Sequence, residues 1–216
     1  MGPSKLMTGV ILWIFTYTTT QALGITPAIS PAQSSQIDRL FEDYNSNTPS
    51  ASALVIQSGE VLYKKSFGLA NLEDHQSSDS RTNYRLASLS KAFTAFAILI
   101  LIDRQQLELD NKLNEVMTFS PYGNDITIRH LLNHTSGLRD YENHISPRRT
   151  EQLKDSDVVN ILRRQNSLLF NSGTQYRYSN SGYAVLAEVI RTVSGQSFAS
   201  FLRDQIFEPL EMAETV

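Results

Sequence analysis

RLASLSKAFTAFAILILI, residues 85–102, decides how the rest of the chain is read. Ser88 and Lys91 form a Ser-x-x-Lys arrangement, the only one in the sequence, and a nearly unbroken apolar run from Ala92 to Ile102 follows. The run has helix length and lacks Gly and Pro, which predicts a buried central helix with little polar face. A serine on the first turn of such a helix sits among backbone N–H groups without intrahelical partners. Residues three apart share a face, so the Lys91 amine reaches the Ser88 hydroxyl. A weak nucleophile is activated in this way, and the positive end of a helix also suits a developing oxyanion. The same four-residue pattern occurs on solvated helix turns, so the rest of the chain has to decide.

With 216 residues, 41% of them hydrophobic, the chain has material for one large or two small cored domains. A net charge of -3, with no basic cluster among aromatics, argues against nucleic acid as a main partner. The absence of cysteine excludes disulfides, thiolate metal sites and a cysteine nucleophile together.

Near the start, Lys5 precedes an apolar run from Leu6 to Phe15 that is too short to span a bilayer, and small residues follow at Thr20–Ala22 and Ala22–Gly24. Residues 1–24 are therefore expected to be a secretory signal peptide. The mature chain, 25–216, is expected to be secreted or periplasmic, with no stable membrane span once the signal is cleaved.

Beyond a Pro/Ser/Ala lead-in, Ile37, Leu40, Phe41 and Tyr44 fall at helical spacing. They predict a helix from Ser35 to Tyr44 capped by Ser34 or Ser35. Ala51–Gln57 and Val61–Phe67 flank Ser58-Gly59 and predict a β-hairpin, with residues 68–83 as a connecting loop. Helices are expected at Thr127–Asn133, Asp155–Arg164, Ser181–Val193 and Phe198–Phe207. Two early strands followed by many helices predict an α+β protein, with helices packed on an antiparallel sheet that this chain leaves incomplete. Tyr63, Phe67 and Phe170 are read as core packing, Tyr176 and Arg177 as loop packing, and the Arg148-Arg149 and Arg163-Arg164 pairs as solvated faces.

Chemistry at Ser88 needs a second group to carry the proton between nucleophile and leaving group. Tyr178-Ser179-Asn180 is the candidate, because a tyrosine near an ammonium has its anion favoured, and Asn180 offers both donor and acceptor to an amide. Tyr122-Gly123-Asn124 and Tyr141-Glu142-Asn143 share the Tyr-x-Asn pattern. Only Tyr178 lies between a Gly-containing turn and an amphipathic helix.

At this point the sequence resembles the serine β-lactamase-like hydrolases: class C β-lactamases, DD-peptidases and related esterases. The resemblance is carried by RLASLSKAFTA around Ser88, ITIRHLLNHTSGL at 126–138, SGTQYRYSNSGYAVLAEVI at 172–190, FEPLEM at 207–212 and the hairpin at 52–71. It implies Ser88 as acylated nucleophile, Lys91 as its partner in proton transfer, Tyr178 as general base and acid, and Asn180 as a substrate and lysine contact. Whether lysine or tyrosine takes the first proton stays open. It implies residues 25–216 as the N-terminal portion of the hydrolase domain, a small-molecule or peptide substrate (an amide, a β-lactam or an ester), and neither metal nor cofactor.

Members of that family continue into further strands that carry a Lys-Thr-Gly or His-x-Gly motif. Here no lysine follows Lys154 and no histidine follows His144. The expectation is a fragment or truncated homologue, with a partner as one source of the missing strands. The alternative function is a non-catalytic chain that binds a ligand or partner. A metal hydrolase built on His130 and His134 is disfavoured because Leu131 stands where its glutamate base belongs; both histidines are read instead as packing or capping around a structural loop, which the resemblance favours, and no Gly-x-Ser-x-Gly elbow exists.

Overall fold

The computed structural model describes residues 29–215, so the expected signal peptide lies outside the described residues. The chain folds as two compact units that meet in sequence at Thr82 and Asn83.

In the first unit, helix α1 runs from Pro31 to Leu40, four residues earlier than the apolar spacing predicts. The cause is a capping box. Ser30 accepts from the Gln33 backbone N–H while the Gln33 side chain takes the Ser30 N–H, and Pro31 presets the first turn. The aromatic residues assigned to the helix lie past its end instead. Phe41 stacks on Phe67 with ring centroids 4.8 Å apart, and Tyr44 packs against Phe41. Strands β1 (Ala51–Gln57) and β2 (Glu60–Phe67) pair antiparallel as expected. Ser58 and Gly59 both have positive φ (51° and 83°), the backbone twist that a tight hairpin needs. A bulge after Val55 breaks the register. Tyr63 is buried on β2, and its hydroxyl donates to Asp38 Oδ1 at 2.5 Å, while Lys65 pairs with Asp38 at 3.0 Å. The loop expected at 68–83 contains a second ribbon, β3 (Leu69–Asn71) with β4 (Gln76–Ser77), too short to carry a period-2 signal.

The second unit is helical. A 3₁₀ turn at Ala87–Leu89 leads into α2 (Ser90–Asp103). Then come α3 (Leu113–Val116), α4 (Ile128–Leu132), α5 (Asp155–Arg163), α6 (Asn180–Ser194) and α7 (Phe198–Leu202), which continues as a π turn to Phe207. The central helix is α6, not α2 as the apolar run suggests. Helix α6 packs against α2, α4, α5 and α7, and Val185, Leu186, Val189 and Ile190 are fully buried. Helix α2 buries one stripe, Thr94, Ala97, Ile98 and Leu101, and leaves Phe96 and Leu99 about half exposed. The stripe follows the i, i+3, i+4, i+7 rule, but a helix apolar on every side does not reveal which stripe faces the core. At roughly 1.5–3 kcal/mol for each fully buried aliphatic side chain, α6 anchors the unit.

Candidate active site

Ser88 lies in the 3₁₀ turn, one residue after Ala87, which is held at φ 48°. That left-handed step is unfavourable for a residue with a Cβ. Ser88 and Lys91 lie one turn apart, and Lys91 Nζ donates to Ser88 Oγ at 3.2 Å. From the other side the Tyr178 hydroxyl donates to Ser88 Oγ at 2.6 Å. Lys91 Nζ also donates to Asn180 Oδ1 at 2.7 Å and sits 4.9 Å from the centre of the Tyr178 ring. All four residues singled out in the sequence therefore meet in one cluster.

The three Tyr-x-Asn tyrosines differ as their environments require. The Tyr178 phenol is held below its ordinary value, by the Lys91 ammonium first and the Ser88 hydroxyl second. Burial pushes Tyr122 and Tyr141 up instead. The Tyr122 hydroxyl is spent on the Leu162 carbonyl at 2.6 Å.

Tyr178 is placed by a clasp between two loops. The Leu169 N–H donates to the Gly137 carbonyl (2.8 Å), Gly173 N–H to Thr135 (2.8 Å) and Arg177 N–H to His134 (2.9 Å), while the Ser172 hydroxyl donates to the Ser136 carbonyl. Gly137 has φ 72°, and a Cβ there would stand 2.2 Å from the Phe170 carbonyl oxygen, so only glycine fits. After the loop, Ser179 caps α6 by accepting from the Gly182 N–H, and Asn180 is the first residue of the helix.

The sequence reading misses Glu142, and it takes His134 as a packing or capping residue of a structural loop without linking it to Tyr178. Glu142 Oε1 accepts from Asn180 Nδ2 at 2.8 Å, which turns the amide so that its oxygen faces Lys91. Glu142 sits inside a discounted Tyr-x-Asn triplet, and no local pattern marks it. The buried Ser181 hydroxyl holds its turn by donating to the Arg139 carbonyl and accepting from the Tyr141 N–H. The second neighbour is His134, whose ring lies 4.6 Å from that of Tyr178 and 5.2 Å from that of Tyr183. Its Nδ1 accepts from the Ser179 N–H at 3.1 Å. Burial, and then the Lys91 charge, pushes this imidazole below its ordinary pKa.

His130 points elsewhere, since its Nδ1 accepts from the Thr127 N–H in the capping box of α4. Arg177 pairs with Asp140 at 2.9 Å, in line with loop packing, while Tyr176 lies largely exposed with its ring edge toward His134. A cavity of about 420 Å³ adjoins the cluster, lined by Ser88, Lys91, Asn180, Tyr183, Asp155 and Phe198 among others. Burial raises the pKa of Asp155 there, with a smaller push from Glu188.

A serine hydroxyl hydrogen-bonded to both a lysine and a tyrosine of lowered pKa has the arrangement that acyl transfer requires. A family model described as Beta-lactamase matches residues 37–216. Penicillin-binding protein 4* of Bacillus subtilis (strain 168) is 37% identical over 165 residues, which cover 75% of this chain and 36% of that protein. Among solved structures, a penicillin-binding protein from Bacillus halodurans is 28% identical with a TM-score of 0.73, covering 82% of this chain and 54% of that one. The D-amino acid amidase from Ochrobactrum anthropi SV3, complexed with L-phenylalanine, is 25% identical with a TM-score of 0.66, covering 75% and 45%. This chain thus spans little more than a third of the curated relative and about half of each solved structure. Because the match takes in all but the first 36 residues, the chain belongs to the β-lactamase family, the serine β-lactamase-like hydrolases.

Proposed function

We propose that the chain is a serine hydrolase that forms an acyl-enzyme at Ser88 on an amide, β-lactam or ester. The carrying observation is that Tyr178 and Lys91 both hydrogen-bond Ser88 Oγ. The Tyr178 phenol donates to Ser88 Oγ at rest, and its ionisation, which Lys91 favours, reverses that bond; in the first step Ser88 Oγ attacks the substrate carbonyl carbon and its proton passes to the ionised Tyr178 oxygen. The tetrahedral intermediate collapses, the bond to the leaving nitrogen or oxygen breaks, and Tyr178 returns the proton to that atom. Water then attacks the ester carbon and gives its proton to Tyr178; the bond from that carbon to Ser88 Oγ breaks, Tyr178 returns the proton to Oγ, and the acid leaves. Asn180 holds Lys91 through Oδ1. The relatives, penicillin-binding proteins and a D-amino acid amidase, support amide and lactam substrates ahead of others. Export rests on the apolar run Leu6–Phe15, and no helix among the described residues is long and apolar enough to cross a membrane.

The test is intact mass after incubation of the purified chain with a fluorescent penicillin or a fluorophosphonate, beside Ser88→Ala. One equivalent of adduct, lost in the alanine variant, is the expected result. A folded chain that gains no mass with either probe overturns the proposal and leaves a ligand- or partner-binding homologue.

A further inference from the structure

We propose that His134 is the positioning residue for Tyr178, a role that rests on the reading of Tyr178 as proton carrier. One residue grips the chain on both sides of the tyrosine. The His134 carbonyl accepts from the Arg177 N–H at 2.9 Å, and its Nδ1 accepts from the Ser179 N–H at 3.1 Å. Between these anchors the imidazole lies against the phenol ring itself, 4.6 Å between centroids at 33°. Tyr183 is 5.2 Å away and Tyr176 lies perpendicular at 6.0 Å, so three aromatic rings contact the imidazole. Removing the Nδ1 acceptor would leave the Ser179 N–H without its partner at the junction of loop and helix.

The backbone sharpens the point. His134 follows the last turn of α4 at φ 62°, a position where glycine or asparagine is the economical choice. A histidine there runs against local preference, and its side chain supplies what glycine cannot: an acceptor in a rigid ring. Nδ1 accepts only while the imidazole is neutral with its proton on Nε2. Burial and the nearby Lys91 charge keep it so.

Asparagine tolerates φ > 0 and carries its oxygen where Nδ1 stands. Glutamine places its oxygen one methylene further out, and phenylalanine keeps a ring without an acceptor. The experiment compares His134→Asn, His134→Gln and His134→Phe in the full chain. Two readouts are taken: the rate of adduct formation with a fluorescent penicillin, and the ionisation of Tyr178 by ultraviolet difference absorbance against Tyr178→Phe. His134→Asn is expected within a few-fold of the parent rate with the low tyrosine ionisation intact. His134→Gln and His134→Phe are expected to lose up to about a hundredfold in rate, since displacement of a reacting group by an ångström costs that much. In both, the Tyr178 ionisation rises toward its ordinary value while probe affinity holds. If phenylalanine fails to fold, the asparagine and glutamine pair decides. Equal behaviour of those two, or an unmoved tyrosine ionisation in both glutamine and phenylalanine, overturns the proposal. A parent chain that forms no adduct counts against the acyl-enzyme reading, and the tyrosine titration then decides the role of His134 alone.

Discussion

Tyr178 and Ser88, 90 residues apart in sequence, are joined by a hydrogen bond of 2.6 Å. The phenol thereby becomes the group that reports on the nucleophile. Tyr178→Phe should lower the acylation rate about a hundredfold to ten-thousandfold, the range for loss of a positioned acid–base group. In the parent, acylation should rise with pH as the phenolate forms, and level off below the ordinary tyrosine value of about 10 because the pKa is depressed. Stopped-flow adduct formation across a pH series checks both. A rise that begins only at the ordinary tyrosine value would remove Tyr178 as the base.

Glu142 and Asn180 offer a finer test. Glu142→Gln can present its amide either way round and removes the charge, so the Asn180 oxygen is less firmly aimed at Lys91. Because Glu142 is exposed, the effect should be small, about fivefold or less in acylation rate, with the melting temperature unchanged. Asn180→Ala removes the lysine contact itself and should cost more. The reverse order, measured on the same probe, would mean that Glu142 contacts the ligand directly.

The packing of the helical unit predicts a stability contrast. Ile190→Ala in the fully buried face of α6 should cost about 2–5 kcal/mol, while Leu99→Ala on the half-exposed side of α2 should stay near the range for surface changes, roughly 0.5 kcal/mol. Urea titrations of the two variants check this contrast between a buried and a half-exposed position.

In the first unit, Tyr63 is pushed up to about 12 by burial, with the Asp38 hydrogen bond adding to it. The folded state thus holds the proton more tightly than the unfolded chain, so this stabilisation is full below about 10 and is lost as pH rises toward about 12. Alkaline denaturation followed by circular dichroism should show that loss, and Tyr63→Phe should flatten it.

Much of this molecule was legible before any coordinates, for identifiable reasons. The hairpin followed from β-branched runs around Ser58-Gly59, and α5 and α6 from their apolar period. Helix α1 was displaced because a capping box outweighed aromatic spacing, and β3–β4 was too short to leave a pattern. The run at 92–102 gave the helix but not its rank, since uniform apolarity hides the buried stripe. Ser88, Lys91, Tyr178 and Asn180 were marked by motif and do meet. Glu142 reaches the cluster only through a tertiary contact 38 residues away, which no local pattern encodes, and His134, legible as a loop packing or capping residue, meets Tyr178 only through a bond that spans 45 residues.

The loop clasp that carries Tyr178 also bears on the order of assembly. Its histidine contact closes 45 residues, whereas joining Tyr178 to Ser88 closes 90. That doubling costs only about 0.6 kcal/mol in chain entropy, too little to impose a sequence of events. The bonds differ in what they depend on: backbone links at 134, 135 and 137, reinforced at 136, hold the Tyr178 loop through atoms that the serine turn does not contribute. Tyr178 therefore rests on a scaffold separate from the turn that holds Ser88, and the two scaffolds meet at a 2.6 Å bond.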